Sequence, residues 1–220
     1  MTTTETKSRL RITFGKLDSL RFVGHLDLAK TWERVLRRAE IPLMYSQGFN
    51  PQPKMQLAAA LPLGISSECE LLDIWLTERV PLEGLPGRLN AVSPPGLITY
   101  HVEEVPLKAP ALQTQVVGAE YRITVDEVDR ADLQKRIEEV LAQEQIERER
   151  RGKTYDLRPL ILALIPEEGN TFRAHLSLGG QGTARPDELL AAMGLSPNMA
   201  RCHRIALHLR QDDTSSVATP

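Results

Sequence analysis

The segments RLRITFGKL (residues 9–17) and LRFVGHLDLAKTWERVLRR (residues 20–38) decide the fold class of this chain. In the first segment apolar and polar side chains alternate, which predicts a half-buried β-strand with Arg9 and Arg11 on its outer face. In the second segment apolar residues recur at helical spacing, at Leu28, Trp32, Val35, Leu36 and Ala39. We therefore predict a strand followed by an amphipathic helix over residues 26–40, with basic residues on the opposite face.

The rest of the first half continues this alternation of strands and helices. Strands are predicted at KMQLAAALPLG (residues 54–64), CELLDIWLTE (residues 69–78) and GLITYHVEEV (residues 96–105), and a short helix lies around residues 82–90. The resulting order is β-α-β-β-α-β, which is the order of a ferredoxin-like unit.

The segment PLKAPALQTQVVGA (residues 106–119) has neither helical nor strand periodicity, and we interpret it as a domain boundary. A second round of elements follows it, with strands predicted at residues 120–125, 146–150, 154–165 with a break at Pro159, 171–178 and 202–210, and helices at 129–143 and 186–194. We therefore predict an α+β fold with two ferredoxin-like units in tandem, at residues 1–108 and 119–210, and a disordered tail at 211–220.

Composition narrows the class of protein. With 220 residues, of which 41% are hydrophobic and 25% charged, the chain is long enough to bury a core. The first residues, MTTTETK, contain no apolar signal region, and the aliphatic run at residues 160–165 is too short to cross a bilayer. We therefore expect a cytoplasmic protein.

Cysteine and histidine spacing predicts no metal site and no bound cofactor. Cys69 and Cys202 are far apart and form no C-x-x-C motif, so cysteine spacing gives neither a zinc site nor an iron–sulfur cluster. The five histidines show no H-E-x-x-H or H-x-H pattern. We therefore expect the chain to bind neither a cofactor nor a metal ion.

Charge is distributed unevenly along the chain. Residues 1–60 contain ten Lys and Arg against five Asp and Glu, whereas residues 61–150 contain nine against seventeen. A basic surface therefore belongs mainly to the first domain, although the whole chain has a formal net charge of −2.

The first candidate site surrounds the start of the basic helix, where His25 and Asp27 suggest acid–base chemistry. The alternative is structural: Asp27 complements the helix N-terminus, His25 belongs to the cap region, and the basic residues form a solvated face. A third interpretation is RNA binding, because basic side chains on one surface can pair with phosphates. The candidate residues are Arg21, Lys30, Arg34, Arg37 and Arg38.

The loop SQGFNPQPK (residues 46–54) is rigid by composition, because its prolines fix φ and restrict the preceding residues to extended geometry. Gly48 can supply a positive φ where the chain turns. The loop would then present Phe49 for base stacking, together with Asn50 and Lys54. We interpret it as a fixed presentation surface.

Two further motifs lie in the second half. GGQGTARPDELLAAMG (residues 179–194) is a poor phosphate loop, because it lacks the G-K-[ST] ending and has acidic residues in the first helical turn. In GKTYDLRPLI (residues 152–161), Arg158 is a candidate RNA contact. An ion pair between Asp156 and Arg158 would explain the same residues without a ligand.

Three stretches together resemble the radical SAM-linked protein family: RFVGHLDLAKTWERVLRRAEIPLMYSQGFNPQPKMQLAAALPLGISSECELLDI (residues 21–74), YDLRPLI (155–161) and RPDELLAAMG (185–194). The resemblance implies a domain that occurs beside, or fused to the C-terminus of, a radical SAM protein with a cobalamin-type region. It therefore implies a protein partner, but it does not identify a reaction for this chain. Where the family commonly has histidine, this chain has Gln52, which makes catalysis at that position unexpected.

Two functions remain open from the sequence. The first is an accessory RNA-recognition module that delivers a structured RNA, such as tRNA or rRNA, to a radical SAM partner. The chain lacks the three-cysteine motif of such enzymes, so the partner would supply the chemistry. The second is an autonomous RNA-processing or RNA-modifying enzyme that uses His25 and Asp27.

Overall fold

The strand predicted at residues 9–17 forms as β1 (Ser8–Lys16) in the computed structural model, which describes residues 8–126, 128–180 and 182–210. The chain divides into two units, the first ending at Gln115 and the second beginning at Val116. The predicted tail at 211–220 lies outside the described residues.

The first unit alternates strands and helices. Its further elements are α1 (His25–Arg38), β2 (Met55–Leu57), β3 (Ser66–Leu76), α2 (Leu85–Val92), β4 (Leu97–Val105) and the short α3 (Leu112–Gln115). The strands are paired in the order β4-β1-β3, with β2 also on β3, and each of these pairs is antiparallel. The predicted order β-α-β-β-α-β is therefore confirmed up to the end of β4.

The core of the first unit lies between one face of its sheet and the helices α1 and α2. Leu10, Ile12 and Phe14 from β1 are buried there with Trp32 of α1, and the rings of Phe14 and Trp32 meet edge to face at 4.9 Å. All five residues of the predicted apolar stripe are buried: Leu28, Trp32, Val35, Leu36 and Ala39. The amphipathic pattern of α1 is therefore confirmed.

The prediction that Arg9 and Arg11 point outward from β1 is wrong. Only 1% of Arg9 and 9% of Arg11 is exposed, because both guanidinium groups donate to the buried carboxylate of Asp73 in β3. Arg9 also donates to the main-chain oxygens of Ala109 and Pro110, at 2.6 and 2.9 Å. The polar face of β1 is therefore an internal ion-pair layer, and these arginines are not part of a basic surface.

The strand predicted at residues 54–64 is also much shorter than expected, because β2 contains only Met55–Leu57. The residues after it are alanines followed by Pro62. Alanine has low strand propensity, and proline cannot donate to a neighbouring strand. The chain turns here and reaches β3 through Gly64, whose φ is +83°.

Over its described residues, the second unit contains a sheet, a separate hairpin and two α-helices. Its elements are β5 (Val116–Val125), α4 (Arg130–Ala142), β6 (Glu147–Arg150), β7 (Lys153–Asp156), β8 (Ile161–Pro166), β9 (Thr171–Ser177), α5 (Pro186–Ala192) and β10 (Ala200–Leu209). The sheet has the strand order β10-β5-β9-β8, and β6 pairs with β7 alone. Each unit thus combines an antiparallel sheet with few helices, which is a mixed α and β architecture.

The segment predicted as the boundary, residues 106–119, is partly structured. Its residues 112–115 form α3, and Val116–Ala119 already belong to β5. None of the helices in the described ranges has the length and apolar character that crossing a membrane requires.

Candidate functional site

The loop between α1 and β2 is a hydrogen-bonded hairpin rather than an irregular connection. Its arms are joined by the Lys54 amide, which donates to the Met44 carbonyl at 2.7 Å, and by a bridge between Tyr45 and Pro53. The Met44 amide in turn donates to the Trp75 carbonyl of β3. The base of the loop is therefore fixed to the sheet of the first unit.

The upper part of the loop is closed by Ser46. Its amide donates to the Gln52 carbonyl at 2.8 Å, and its hydroxyl oxygen accepts from the Gln52 amide at 2.9 Å. The residues enclosed between these two are all exposed. Gln52 therefore contributes to the loop through its main-chain amide and carbonyl, which any residue except proline could supply.

Phe49 stands at the tip of this hairpin and is completely exposed, with a relative accessibility of 113%. Gly48 precedes it with φ at +137°, a conformation that glycine adopts without steric cost. A phenyl ring in water loses the free energy that burial of its apolar surface would supply. The Phe49 ring is therefore available to stack on a flat or apolar partner, and Asn50 is exposed beside it.

Lys54 extends from the base of the hairpin over the buried ring of Trp75. Its ammonium nitrogen lies 4.9 Å from the ring centroid, and the guanidinium carbon of Arg9 lies 4.6 Å from the same centroid. Cation–π contact of this kind holds a lysine head group in place while the rest of the side chain stays exposed. The ammonium group of Lys54 is therefore held over Trp75, at the base of the hairpin.

The solvent face of α1 carries a row of positive charge. The residues that form this basic row are exposed and recur at helical spacing: Lys30, Arg34, Arg37 and Arg38. Lys30 is 3.9 Å from the carboxylate of Asp27, but both side chains are about two-thirds or more exposed, at 67% and 72%. Such a pair is worth little and leaves the row available to an external anion.

His25 and Asp27 both lie in the first turn of α1. They occupy positions i and i+2 of the first turn, and side chains with this spacing point to different sides of an α-helix. Asp27 is exposed near the helix N-terminus, where its charge complements the dipole. The remaining residue at this end, Arg21, lies exposed with its guanidinium carbon 4.8 Å from the ring centroid of Phe22.

The two ends of α1 lie at different distances along the chain from the hairpin that carries Phe49. Twelve positions separate His25 from Arg37, which corresponds to about 18 Å along the helix axis. The chain that leaves the C-terminal end of α1 continues through Ile41 and Leu43, which pairs with Leu76, directly into the hairpin. The connection therefore joins the hairpin to the Arg37 end of the basic row rather than to the His25 end.

Arg158 lies in the second unit and is already engaged. Its guanidinium group donates to the carbonyl of Leu141 at 3.1 Å and to that of Ile161 at 3.3 Å. The carboxylate of Asp156 accepts instead from the amides of Ile146 and Arg158. The ion pair considered from the sequence is therefore replaced by side-chain contacts to the main chain.

A cluster that sequence spacing does not indicate lies on the sheet of the second unit. Glu120, His175 and His208 come from three strands, and each offers one potential ligand atom within 4.8 Å of the others. They are separated by 55 and 33 positions in the chain, so a search for local histidine motifs does not find them. They could be found from the sequence only by predicting how the three strands pair, because the pairing places them side by side.

Comparison with known proteins identifies one family and distant similarity to solved structures. Residues 9–186 match the family described as "Uncharacterized protein conserved in bacteria (DUF2344)". No curated protein matches the chain. A chain of the crystal structure of the archaeal box H/ACA sRNP Nop10–Cbf5 complex is similar with a TM-score of 0.45 and 14% identity, over 93% of this chain. The present chain spans 50% of the length of that one.

Proposed function

We propose that this chain, which belongs to the bacterial family DUF2344, is an accessory RNA-recognition module that works with a radical SAM enzyme in the cytoplasm. Its task would be to hold a structured RNA during RNA modification or ribosome-related RNA metabolism. The observation that carries the proposal is the complete exposure of Phe49 on an ordered hairpin whose base holds Lys54.

Exposed aromatic rings and positive charge are the two features that unpaired RNA recognises. A base stacks on an aromatic ring, whereas phosphates pair with Lys and Arg without regard to sequence. The hairpin supplies the ring, and the basic row on α1 supplies charge at the end of the helix from which the hairpin continues. An unpaired loop or bulge of a structured RNA fits both features.

The radical SAM partner is inferred from the sequence resemblance alone. A radical SAM enzyme needs three cysteines in one motif for its iron–sulfur cluster, and this chain contains two cysteines, at positions 69 and 202. The chemistry would therefore belong to the partner. An exposed apolar surface suitable for a protein contact occurs near the start of α1, where Phe22, Leu26 and Leu63 are 63%, 75% and 65% exposed.

We further infer that both units are ferredoxin-like, as the sequence predicted. The support is a shared strand order: counted along the chain within each unit, the fourth strand neighbours the first, which neighbours the third. In the second unit the hairpin β6–β7 is counted as an insertion after α4. The chain order β-α-β-β-α-β is that of ferredoxin-like folds.

The RNA proposal is tested by measuring the affinity of the full chain for a structured RNA over a range of salt concentrations. Phe49→Ala should weaken binding about tenfold to hundredfold, since a stacked base contributes about 1–3 kcal/mol, and should leave the salt dependence nearly unchanged. Arg34→Ala combined with Arg37→Ala should weaken binding and reduce the salt dependence, because fewer counterions are released.

Matched controls separate the proposed contacts from general effects. Tyr100→Ala removes an exposed aromatic ring on β4, outside the hairpin, and Arg79→Ala combined with Lys135→Ala removes two exposed charges outside α1. Both control proteins should bind RNA as the wild type does. Equal losses in control and test variants would contradict the assignment of this surface.

A further inference from the structure

The sheet of the second unit brings three metal-ligating side chains together on one face. Glu120 in β5 lies directly opposite His175 in β9, and His208 in β10 lies opposite Gly118, two residues before Glu120. Side chains two positions apart on a strand share a face, so all three project from the same side of adjacent strands. The opposite side of β5 carries the buried residues Ala119, Tyr121, Ile123 and Val125.

Gly118 makes room for this arrangement. The φ angle of Gly118 lies outside the positive range, so its backbone conformation does not require glycine. A Cβ atom at this position would, however, lie 2.9 Å from Nε2 of His175. A side chain here would therefore collide with the imidazole ring. The missing side chain at Gly118 lets the rings of His175 and His208 approach with their centroids 4.5 Å apart and an interplanar angle of 35°.

The carboxylate of Glu120 is held in place from both sides. His208 Nε2 lies 2.9 Å from one carboxylate oxygen, and Arg173 Nη1 lies 3.6 Å from the other. Arg173 itself is paired with Glu167, since its Nε lies 3.2 Å from that carboxylate. Arg173 is thus an outer partner that orients the Glu120 carboxylate, and the oxygen on the other side lies beside the imidazole of His208.

We propose that Glu120, His175 and His208 form a binding site for a divalent transition-metal ion such as Zn²⁺. Two imidazoles with one carboxylate are a common ligand set for Zn²⁺ and for other first-row metals. With three protein ligands, a tetrahedral ion keeps a fourth position for water or for an oxygen or nitrogen atom of another molecule. Glu120 and His208 are 22% and 39% exposed, so an ion can reach them from solvent.

All three ligand atoms of the cluster lie within 4.8 Å of one another, which is close enough for one ion to contact them together. A structural hydrogen bond between Glu120 and His208 would account for those two residues, but it gives no reason for a second imidazole to approach them.

The test is titration of Zn²⁺ into the chelator-treated full chain by calorimetry, followed by Co²⁺ substitution and visible absorption spectroscopy. We expect one ion per chain and a cobalt spectrum with the strong absorption of a four-coordinate site. His175→Gln and His208→Gln should each weaken Zn²⁺ binding at least tenfold, whereas His101→Gln, which removes an exposed histidine on β4 in the other unit, should leave it unchanged.

Gly118→Ala provides a second test that keeps all three ligands. Its methyl group should displace His175 and weaken Zn²⁺ binding although no ligating group is lost. Should the histidine variants fail to fold, this variant and the wild-type cobalt spectrum still decide the question. The proposal is overturned if the wild-type chain binds no stoichiometric Zn²⁺, or if its affinity is the same in the histidine and glycine variants.

Discussion

At the scale of single residues, the carboxylate of Asp73 is buried between the guanidinium groups of Arg9 and Arg11. Asp73→Ala would leave two arginines without their carboxylate in a buried layer. We expect a loss of about 3–5 kcal/mol in the free energy of unfolding, because breaking a buried ion pair strands the remaining charge. Chemical denaturation of the purified protein measures this loss.

The exposed ion pair at the start of α1 is the control for that prediction. Asp27→Ala removes a carboxylate that is 72% exposed and lies 3.9 Å from Lys30. We expect a change within about 1 kcal/mol. A similar cost for both variants would contradict the account of Asp73 as the centre of a buried ion-pair layer.

His25 distinguishes an accessory module from an enzyme that acts alone. Because His25 and Asp27 diverge on the helix, we expect His25→Ala to alter neither RNA affinity nor the activity of the assembled complex by more than about twofold. A general acid or base would instead contribute about 10² to 10⁴ in turnover. RNA turnover by the purified chain, lost in His25→Ala at an unchanged melting temperature, would favour the autonomous enzyme.

At the scale of elements, the hairpin depends on a glycine at its tip. Gly48→Ala meets no atom within 4 Å, so its cost comes from the φ of +137° alone. We expect the tip to rearrange and RNA affinity to fall severalfold, with about 1–3 kcal/mol lost in unfolding free energy. Binding and denaturation measurements on the same variant separate the two effects.

Gly87 in α2 is the matched control for a glycine in ordinary backbone geometry. A Cβ atom there also has open space, and the helical conformation suits alanine. Gly87→Ala should therefore raise the unfolding free energy by about 0.5–1 kcal/mol and leave RNA affinity unchanged. Equal effects of the two substitutions would show that tip geometry is unimportant for binding.

The elements themselves were largely predictable, because hydrophobic periodicity is a local signal. The buried stripe of α1 could be read from spacing alone. The sequence could not show that the polar face of β1 is covered, because the covering carbonyls of Ala109 and Pro110 lie about 100 positions away from Arg9. Alternation identifies two faces of a strand, but which groups lie on each face depends on distant parts of the chain.

At the scale of the whole molecule, the boundary between the two units lies between Gln115 and Val116. The segment before this point is anchored, since Arg9 binds the carbonyls of Ala109 and Pro110. We therefore expect trypsin to cut first after Arg151, an exposed residue with φ of +54° at the tip of the β6–β7 hairpin, and only later after Lys108. A dominant first cut after Lys108, mapped by mass spectrometry, would contradict this anchoring.

The candidate sites differ in how far sequence could predict them. The hairpin is contiguous in sequence, and its proline and glycine positions already indicated a rigid loop. The cluster of Glu120, His175 and His208 depends on the pairing register of three strands, which no local pattern encodes. Its recognition required the strand order of the second unit.

The proposal that the first unit binds RNA through Phe49 and nearby Lys and Arg side chains predicts a steep salt dependence of wild-type affinity. The basic row and Lys54 together provide five positive charges. If most of them contact phosphates, a plot of the logarithm of the association constant against that of the salt concentration should have a slope between about −3 and −4.5. A structured RNA bound with such a slope is the predicted result. An absence of affinity for any structured RNA, or a slope near zero, would contradict the account.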